Sequence, residues 1–371
     1  MITEDWYFWS HRVGLARNLV SQGYKVTVAT RVRRLADELR REPFEVVNLP
    51  FERSLHHPLR DALMVCRLFA LILRLGPDII HFVSLKPMVL GALALAFLPA
   101  QRAIFAPTGM GYLFIDDAAG RRRLRQVVLR LLRLAGRRRR SWFLVQNNDD
   151  RDLLAQARVG RADHTAVIAG SGVDIDKFAL SKSPQATPPM VLCPARLLRD
   201  KGIAEFVEAA RLLQADGCPA RFQLAGALDP DNPAAIRAEE IERWVAEGIV
   251  LWHGHCEDMP ALYRQAALVC LPSYREGLPK ALLEGAASGL PLVATDVVGC
   301  REICFHQKTG LLVAPRDAPA LAKAIGSLLD DAQMRENYGR AARALIETKF
   351  ADPVVFGHIA ALYERVADTQ A

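Results

Sequence analysis

No apolar run in this chain reaches membrane-spanning length. The longest uninterrupted one, Met88–Leu98, falls short of the roughly 18–20 residues that a bilayer requires. The opening Met-Ile-Thr-Glu-Asp carries neither a basic nor an apolar segment, so it does not read as a secretory signal. No G-x-G-x-x-G follows any strand-like run, which argues against a dinucleotide oxidoreductase. Cysteine supplies no framework either. Its seven residues (66, 193, 218, 256, 270, 300 and 304) are odd in number and scattered, unlike a disulfide scaffold. Cys300 and Cys304 have a spacing that could suggest a metal, but no second pair or nearby histidine cluster completes it. Reduced, buried thiols of a cytoplasmic protein are the expectation, with no metal.

What the chain does have is length, apolar content and a local excess of positive charge. Its 371 residues suffice for two domains of ordinary size, each with its own core. Formal charge is +7, yet Arg121–Arg140 alone holds ten arginines and no acid, which leaves the rest of the chain at −3. The basicity therefore belongs to one segment. Within it Leu124, Val127, Val128, Leu131 and Ala135 form an apolar stripe, with Arg130, Arg133 and Arg137 opposite.

Strand-like and helix-like runs alternate. Gly23–Ala29, Phe44–Leu49, Pro77–Val83, Arg102–Ala106 and Trp142–Gln146 read as strands with helical runs between them. A second series runs from Pro189 through Gly202–Leu213, Ala220–Gly226, Ala235–Glu247, Val250–His253 and Met259–Ala267. Such alternation predicts doubly wound parallel sheets. Boundaries are expected at 1–180, a proline-rich linker at 181–189, 190–345, and a final helix at 346–371. Amphipathic helix is expected from Asp317 through Arg365. A helix–turn–strand start implies an earlier strand, for which only Met1-Ile2-Thr3 remain. Either the first strand is very short or the start lies upstream; the expectation is a truncated first strand and a misplaced start.

The chemistry concentrates in Leu271–Gly289. A polar turn, Ser273–Gly277, enters a helix with Pro279 near its first position. Glu276 lies in the loop and Glu284 one to two turns into the helix, with free N–H groups between them that favour anions. Two carboxylates astride an anion site suit a diphosphate flanked by hydroxyl-rich sugars. A polar loop and a solvated helical glutamate fit the same residues. Arg196 and Lys201, in the turn after the first strand of the second series, are two fixed cations where parallel sheets bind ligands. Without an anion, cations at a helix start are unfavourable.

Glu276-Gly-Leu-Pro-Lys-Ala-Leu-Leu-Glu284, followed by Gly289-Leu-Pro-Leu-Val-Ala-Thr295 and Gly299-Cys-Arg-Glu302, resembles the signature of retaining glycosyltransferase family four. The resemblance implies a GT-B fold, in which two Rossmann-like α/β domains face each other across a cleft. It implies that Glu284 binds ribose hydroxyls and Glu276 the donor sugar. Backbone N–H groups around Leu278 to Lys280 would hold the distal phosphate, and Gly277 and Pro279 belong to the same donor-binding turn. Arg196 and Lys201 would neutralise the departing nucleoside diphosphate, with no metal or cofactor required. Gly226, His253 and Gly254 would line the base pocket, although each also fits an ordinary loop residue. The last helix would brace the first domain.

The acceptor side departs from the common pattern. Glu4–His11 stands where relatives carry a glycine-rich loop, and Thr108-Gly109-Met110-Gly111-Tyr112 where many carry a histidine. Both resemble the subgroup acting on undecaprenyl-diphosphate-linked saccharides, as do His81–Pro87 and Gln146-Asn147. His11, Lys86, Thr108, Gly109 and Gly111 are thereby acceptor candidates, and no catalytic base is assigned. Arg130, Arg133, Arg137, Arg138, Arg139 and Arg140 are candidate contacts to an anionic membrane surface, each basic group there contributing ~1 kcal/mol. Nucleic acid is disfavoured as a partner, since no nucleic-acid motif or aromatic interleaving accompanies the run. The expectation is a peripheral enzyme on the inner face of the plasma membrane. It would move a sugar from a nucleotide sugar, UDP-linked, to a polyprenyl-diphosphate-linked saccharide. A non-catalytic sugar-nucleotide-binding subunit and a soluble transferase making a small glycoside are the alternatives.

Overall fold

The computed structural model describes residues 1–52, 58–107, 119–180, 187–230 and 232–369, with backbone alone at 119–121. The chain forms two compact units, Met1–Gly172 with Asp352–Ala371, and Val173–Ala351. Expected boundaries at 180 and 345 therefore shift. Val173 donates its N–H to Phe350 O (3.0 Å), which ties Val173–Leu180 to the second unit, and the return to the first begins at Asp352. Residues 181–186 of the expected linker lie outside the described residues.

In the first unit the strands are β1 (Thr27–Thr30), β2 (Glu45–Asn48), β3 (Ile79–Val83), β4 (Arg102–Ala106), β5 (Ser141–Val145) and β6 (Thr165–Val167). β1 pairs with β2, and β3 to β6 pair in sequence order, all parallel. Met1–Thr3 lies between the two sets. Ile2 N donates to Ala29 O (3.0 Å) and Arg31 N to Thr3 O (3.2 Å) on one side, and Val83 N to Met1 O (2.9 Å) on the other. Three residues thus occupy the place of the first strand, which fits the expectation of a very short one.

The sheet is covered on both faces, so its inner strands read as continuous apolar runs instead of alternating ones. On one face Phe82, Phe105 and Phe143 stack successively and pack under helices Pro58–Leu75, Leu85–Leu95 and Ala119–Gly136. On the other, Ile104 and Leu144 meet helices Asp5–His11, Val13–Ser21 and Asp352–Ala367 through Phe8, Leu15, Phe356 and Ile359. Asp5 fixes the first turn. Burial would raise its carboxyl, but N–H groups of Arg33, Arg34, Leu35 and Trp6 outweigh that and hold it below the usual range.

The second unit contains β7 (Met190–Pro194), β8 (Arg221–Ala225), β9 (Leu251–Trp252), β10 (Leu268–Leu271), β11 (Leu292–Thr295) and β12 (Gly310–Val313). They form one parallel sheet ordered β12–β11–β10–β7–β8–β9. The chain lays down β7 to β9 in one direction, then returns to the other side of β7 for β10 to β12. That reversal makes the carboxyl edge between β7 and β10 the place where ligands bind in such sheets. The expected single run from Asp317 is divided. Asp317 caps Ala318–Asp330 through Ala320 N, and Asp331 caps Ala332–Leu345 through Met334 N.

Candidate functional site

Four of the six strands deliver, at the carboxyl edge of the second sheet, a residue singled out above. β7 runs into Arg196 and Lys201, β8 into Gly226, β9 into His253 and Gly254, and β10 into Glu276. The turn after β7 docks on the turn after β10 with no side chain between them. Gly202 holds φ +69°, and a Cβ there would lie 2.0 Å from Pro272 O, so only glycine fits. Tyr274 N donates to Asp200 O at 2.9 Å across the same junction.

The docking brings the charges together. Lys201 Nζ donates to Glu276 Oε1 at 2.6 Å, and Ser273 Oγ donates to the same oxygen at 2.7 Å. Ser273 is fully buried, and its carbonyl accepts from Thr295 Oγ1 at the end of β11. Gly299 closes the third side, since a Cβ at its φ of +82° would meet Gly277 O at 2.5 Å. Glu276 N donates to Val298 O (3.2 Å). Three loops therefore fix one carboxylate and one ammonium group beside helix Lys280–Ala287. No side chain of its N-cap residue, Pro279, caps that helix. Backbone N–H groups of its first turn, with the lysine, form an environment suited to an anion.

Glu284 lies on the same helix with different partners. Tyr263 donates its hydroxyl to Glu284 Oε2 and Ala281 O, both at 3.1 Å, and Lys280 Nζ stands 3.5 Å from Oε1. Burial pushes the Glu284 carboxyl up, and Lys280 and the Tyr263 hydrogen bond pull partly against it. Tyr263 is itself fully buried, and burial raises its hydroxyl further than the adjacent carboxylate does.

Arg196 points elsewhere than Lys201: its Nη1 donates to Asp229 Oδ2 at 2.9 Å. Gly226 lies against the Arg196 turn so closely that a Cβ would sit 1.8 Å from Ala195 O. Its N–H donates to Gly254 O (2.8 Å), which joins the loops after β8 and β9. The ring of His253 pairs with Gln223 Oε1 (2.6 Å), so its nitrogen on that side belongs to a contact within the sheet. Cys193, Cys270, Cys300 and Cys304 are buried thiols pushed up by burial, and among the described residues no His, Cys, Asp or Glu cluster has metal-ligand geometry.

In the first unit Lys86 is buried and paired with Asp61 (2.7 Å). Both line a cavity of about 220 Å³ with Arg60 and Arg67. His11 stacks on Tyr7 (ring centroids 4.2 Å apart) and is not among the residues lining that cavity. Thr108, Gly109 and Gly111 lie outside the described residues. The arginine set needs correction. Arg133 donates to Ala157 O (2.6 Å), Arg138 to Leu98 O (2.6 Å) and Gln101 O (3.0 Å), and Arg140 to Ala100 O (2.5 Å). These three cap carbonyls of the protein itself, while Arg130, Arg137 and Arg139 stay exposed. The apolar stripe shifts too: Val128, Leu132 and Ala135 are buried, and Val127 is 51% exposed.

Sequence reasoning missed Tyr263 and Asp229, which nothing local marks because each acts through a partner brought close by the fold; it placed Ser273 in the polar turn without a role.

The second unit thus holds a paired cation and carboxylate at the switch point of its parallel sheet, in a chain of two α/β units. Residues 10–177 match the family model described as Glycosyltransferase Family 4, and residues 188–331 match Glycosyl transferases group 1. The chain belongs to the glycosyltransferases of this group 1/family 4 type, enzymes that are nucleotide-sugar-dependent hexosyltransferases. An N,N'-diacetylbacillosaminyl-diphospho-undecaprenol alpha-1,3-N-acetylgalactosaminyltransferase of Campylobacter jejuni is 26% identical, over 89% of this chain and 88% of that one. Relatives named for capsular polysaccharide, amylovoran and colanic acid biosynthesis match over about half of their own length. Sucrose-phosphate synthase of Thermosynechococcus elongatus has the same GT-B fold, with a TM-score of 0.82 over 99% of this chain and 96% of that one at 21% identity. The Anabaena protein Alr3699/HepE, solved with UDP and glucose, superposes with a TM-score of 0.76 over 95% and 94% of the two chains at 22% identity.

Proposed function

We propose that this chain is a retaining transferase that moves a hexose from a UDP-sugar to a polyprenyl-diphosphate-linked saccharide during cell-surface glycan synthesis. It would work at the inner face of the plasma membrane. One observation carries the reading: Lys201 and Glu276 meet at 2.6 Å beside the N-terminus of helix Lys280–Ala287, at the switch point of the sheet. A leaving diphosphate needs cations and N–H groups; a donor sugar needs a carboxylate for its hydroxyls. Both stand within one loop junction.

In this reading the donor's anomeric C–O bond to the diphosphate breaks, and the acceptor hydroxyl oxygen bonds the anomeric carbon on the same face. The leaving phosphate oxygen takes the acceptor proton, so no side-chain base is required. Lys201 and Arg196 stabilise charge that grows as the bond breaks, which is where binding energy accelerates a reaction. Glu284 holds the ribose, and Lys86 in its cavity faces the acceptor diphosphate. The Campylobacter relative, named for transfer to a diphospho-undecaprenol saccharide, supports the lipid-linked acceptor. The Anabaena structure with UDP supports the donor base.

Thermal unfolding against UDP, GDP and ADP tests the donor. A nucleotide at about 100 times its Kd adds ~2.7 kcal/mol to the folded state. Stabilisation by UDP above the other two is expected, and stabilisation by GDP or ADP alone would overturn the assignment.

A further inference from the structure

Three neighbouring helices cover one face of the first unit, and the outer side of the first of them is apolar. Helix Pro58–Leu75 buries Met64, Leu68, Leu71 and Ile72 against the sheet side. Its solvent side presents Leu59, Leu63, Cys66, Ala70 and Leu73. Leu59 is 86% exposed, Leu63 52% and Leu73 59%. These positions step by four, three, four and three, a second stripe at helical spacing that is exposed among the described residues. The neighbouring helix, Leu85–Leu95, ends beside Phe97, which is 75% exposed and meets Phe69 of the first helix edge-on. An exposed apolar patch of this extent marks an interaction surface.

The charge pattern selects its partner. Arg60, Arg67 and Arg74 recur every seventh residue along the stripe, Arg60 being paired with Glu52, and the third helix, Ala119–Gly136, adds Arg130 beside exposed Val127 and Leu134. The three helices contain a single acid, Asp61, which is paired with Lys86. Two copies meeting through this face would set arginine against arginine. We propose that it docks on an anionic lipid leaflet, Leu59, Leu63, Leu73 and Phe97 entering the acyl boundary while the arginine row meets the headgroups. The cavity holding Lys86 opens on the same helix. The inference rests on the proposed lipid-linked acceptor only for its biological setting.

Flotation with vesicles of phosphatidylglycerol and phosphatidylcholine tests it on the full chain. Wild type is expected to float with these vesicles, not with pure phosphatidylcholine, and to be released in about 1 M salt, where the Debye length falls to ~3 Å. The triple variant Leu59→Gln, Leu63→Gln, Leu73→Gln keeps helix formers at exposed sites. It should lose at least about tenfold in partitioning while UDP still raises its unfolding temperature as in wild type. Equal flotation of both proteins, or none by wild type, overturns the proposal. So does a wild-type dimer that the triple variant converts to monomer, which would assign the face to a second copy. Loss of UDP stabilisation in wild type would instead strike the donor reading and leave the flotation result intact.

Discussion

Lys201 Nζ lies 2.6 Å from Glu276 Oε1, and the residues come from turns that follow different strands. Each is a partner of the other. Under the proposed function a diphosphate would offer the ammonium group a stronger anion, and sugar hydroxyls would offer the carboxylate new donors, so binding would exchange one pair for two. Lys201→Ala and Glu276→Gln should each lower transfer by roughly a hundredfold to a thousandfold, the range for removing one group that stabilises developing charge. The folds should survive, because the pair is partly exposed. Initial rates with a UDP-sugar decide the matter, and near-normal turnover in both variants would remove this junction from the mechanism.

Gly202 and Gly217 separate backbone strain from steric exclusion. Both have positive φ, +69° and +80°, yet a Cβ at Gly202 meets Pro272 O at 2.0 Å and one at Gly217 meets nothing within 4 Å. Gly217→Ala should cost only the left-handed conformation, about 1 kcal/mol. Gly202→Ala must also pry the two turns apart. Its unfolding midpoint should fall by several degrees more, at roughly 2–4 °C per kcal/mol for a unit of this size. Similar midpoints would mean that the junction yields.

Glu284 predicts a trade between stability and binding. Its carboxyl is raised by burial above the ordinary 4.5, so the folded state favours the protonated form. The stability this gives is present below pH 4.5 and is lost as pH rises through the folded value. At pH 8 the ionised side chain therefore weighs against the free protein. Glu284→Gln should raise the unfolding midpoint at pH 8 more than at pH 5, and should weaken UDP binding at both. Lys280, at 3.5 Å and partly exposed, returns little. A variant less stable than wild type at pH 8 would contradict the account.

Much of this site is legible in the sequence because its residues are local. Glu276 through Glu284 sit within one loop and helix, and Arg196 and Lys201 share one turn, so periodicity and strand-end position locate them. Their partners are not local: Asp229 reaches Arg196 across 33 residues and Tyr263 reaches Glu284 across 21. Short strands escaped for a related reason. Thr165–Val167 is too brief for alternation to register, Gly310–Val313 carries no alternation, and Met1–Thr3 is held by neighbours on both sides, not by its own propensity. Helix Pro58–Leu75 was readable as a helix, yet its outer stripe was hidden. An apolar residue on either face looks alike until the sheet fixes which face is buried.

His81 gives the first unit a pH dependence of predictable sign. Its Nδ1 lies 2.8 Å from the Tyr363 hydroxyl, joining β3 to helix Asp352–Ala367. Burial, and then the nearby Arg12 guanidinium and Met1 amine, hold the imidazole well below its usual 6.5. The folded state thus keeps it neutral, while an unfolded chain charges it below pH 6.5. Stability present above that pH is lost as pH falls toward the folded value, by up to about 1.4 kcal/mol per pH unit for one proton. His81→Asn keeps a polar group near the Nδ1 position and removes this titration. Between pH 6.5 and 5 its first unit should lose stability less steeply than wild type by one proton, read from amide exchange in β3. Equal slopes would place the titration elsewhere.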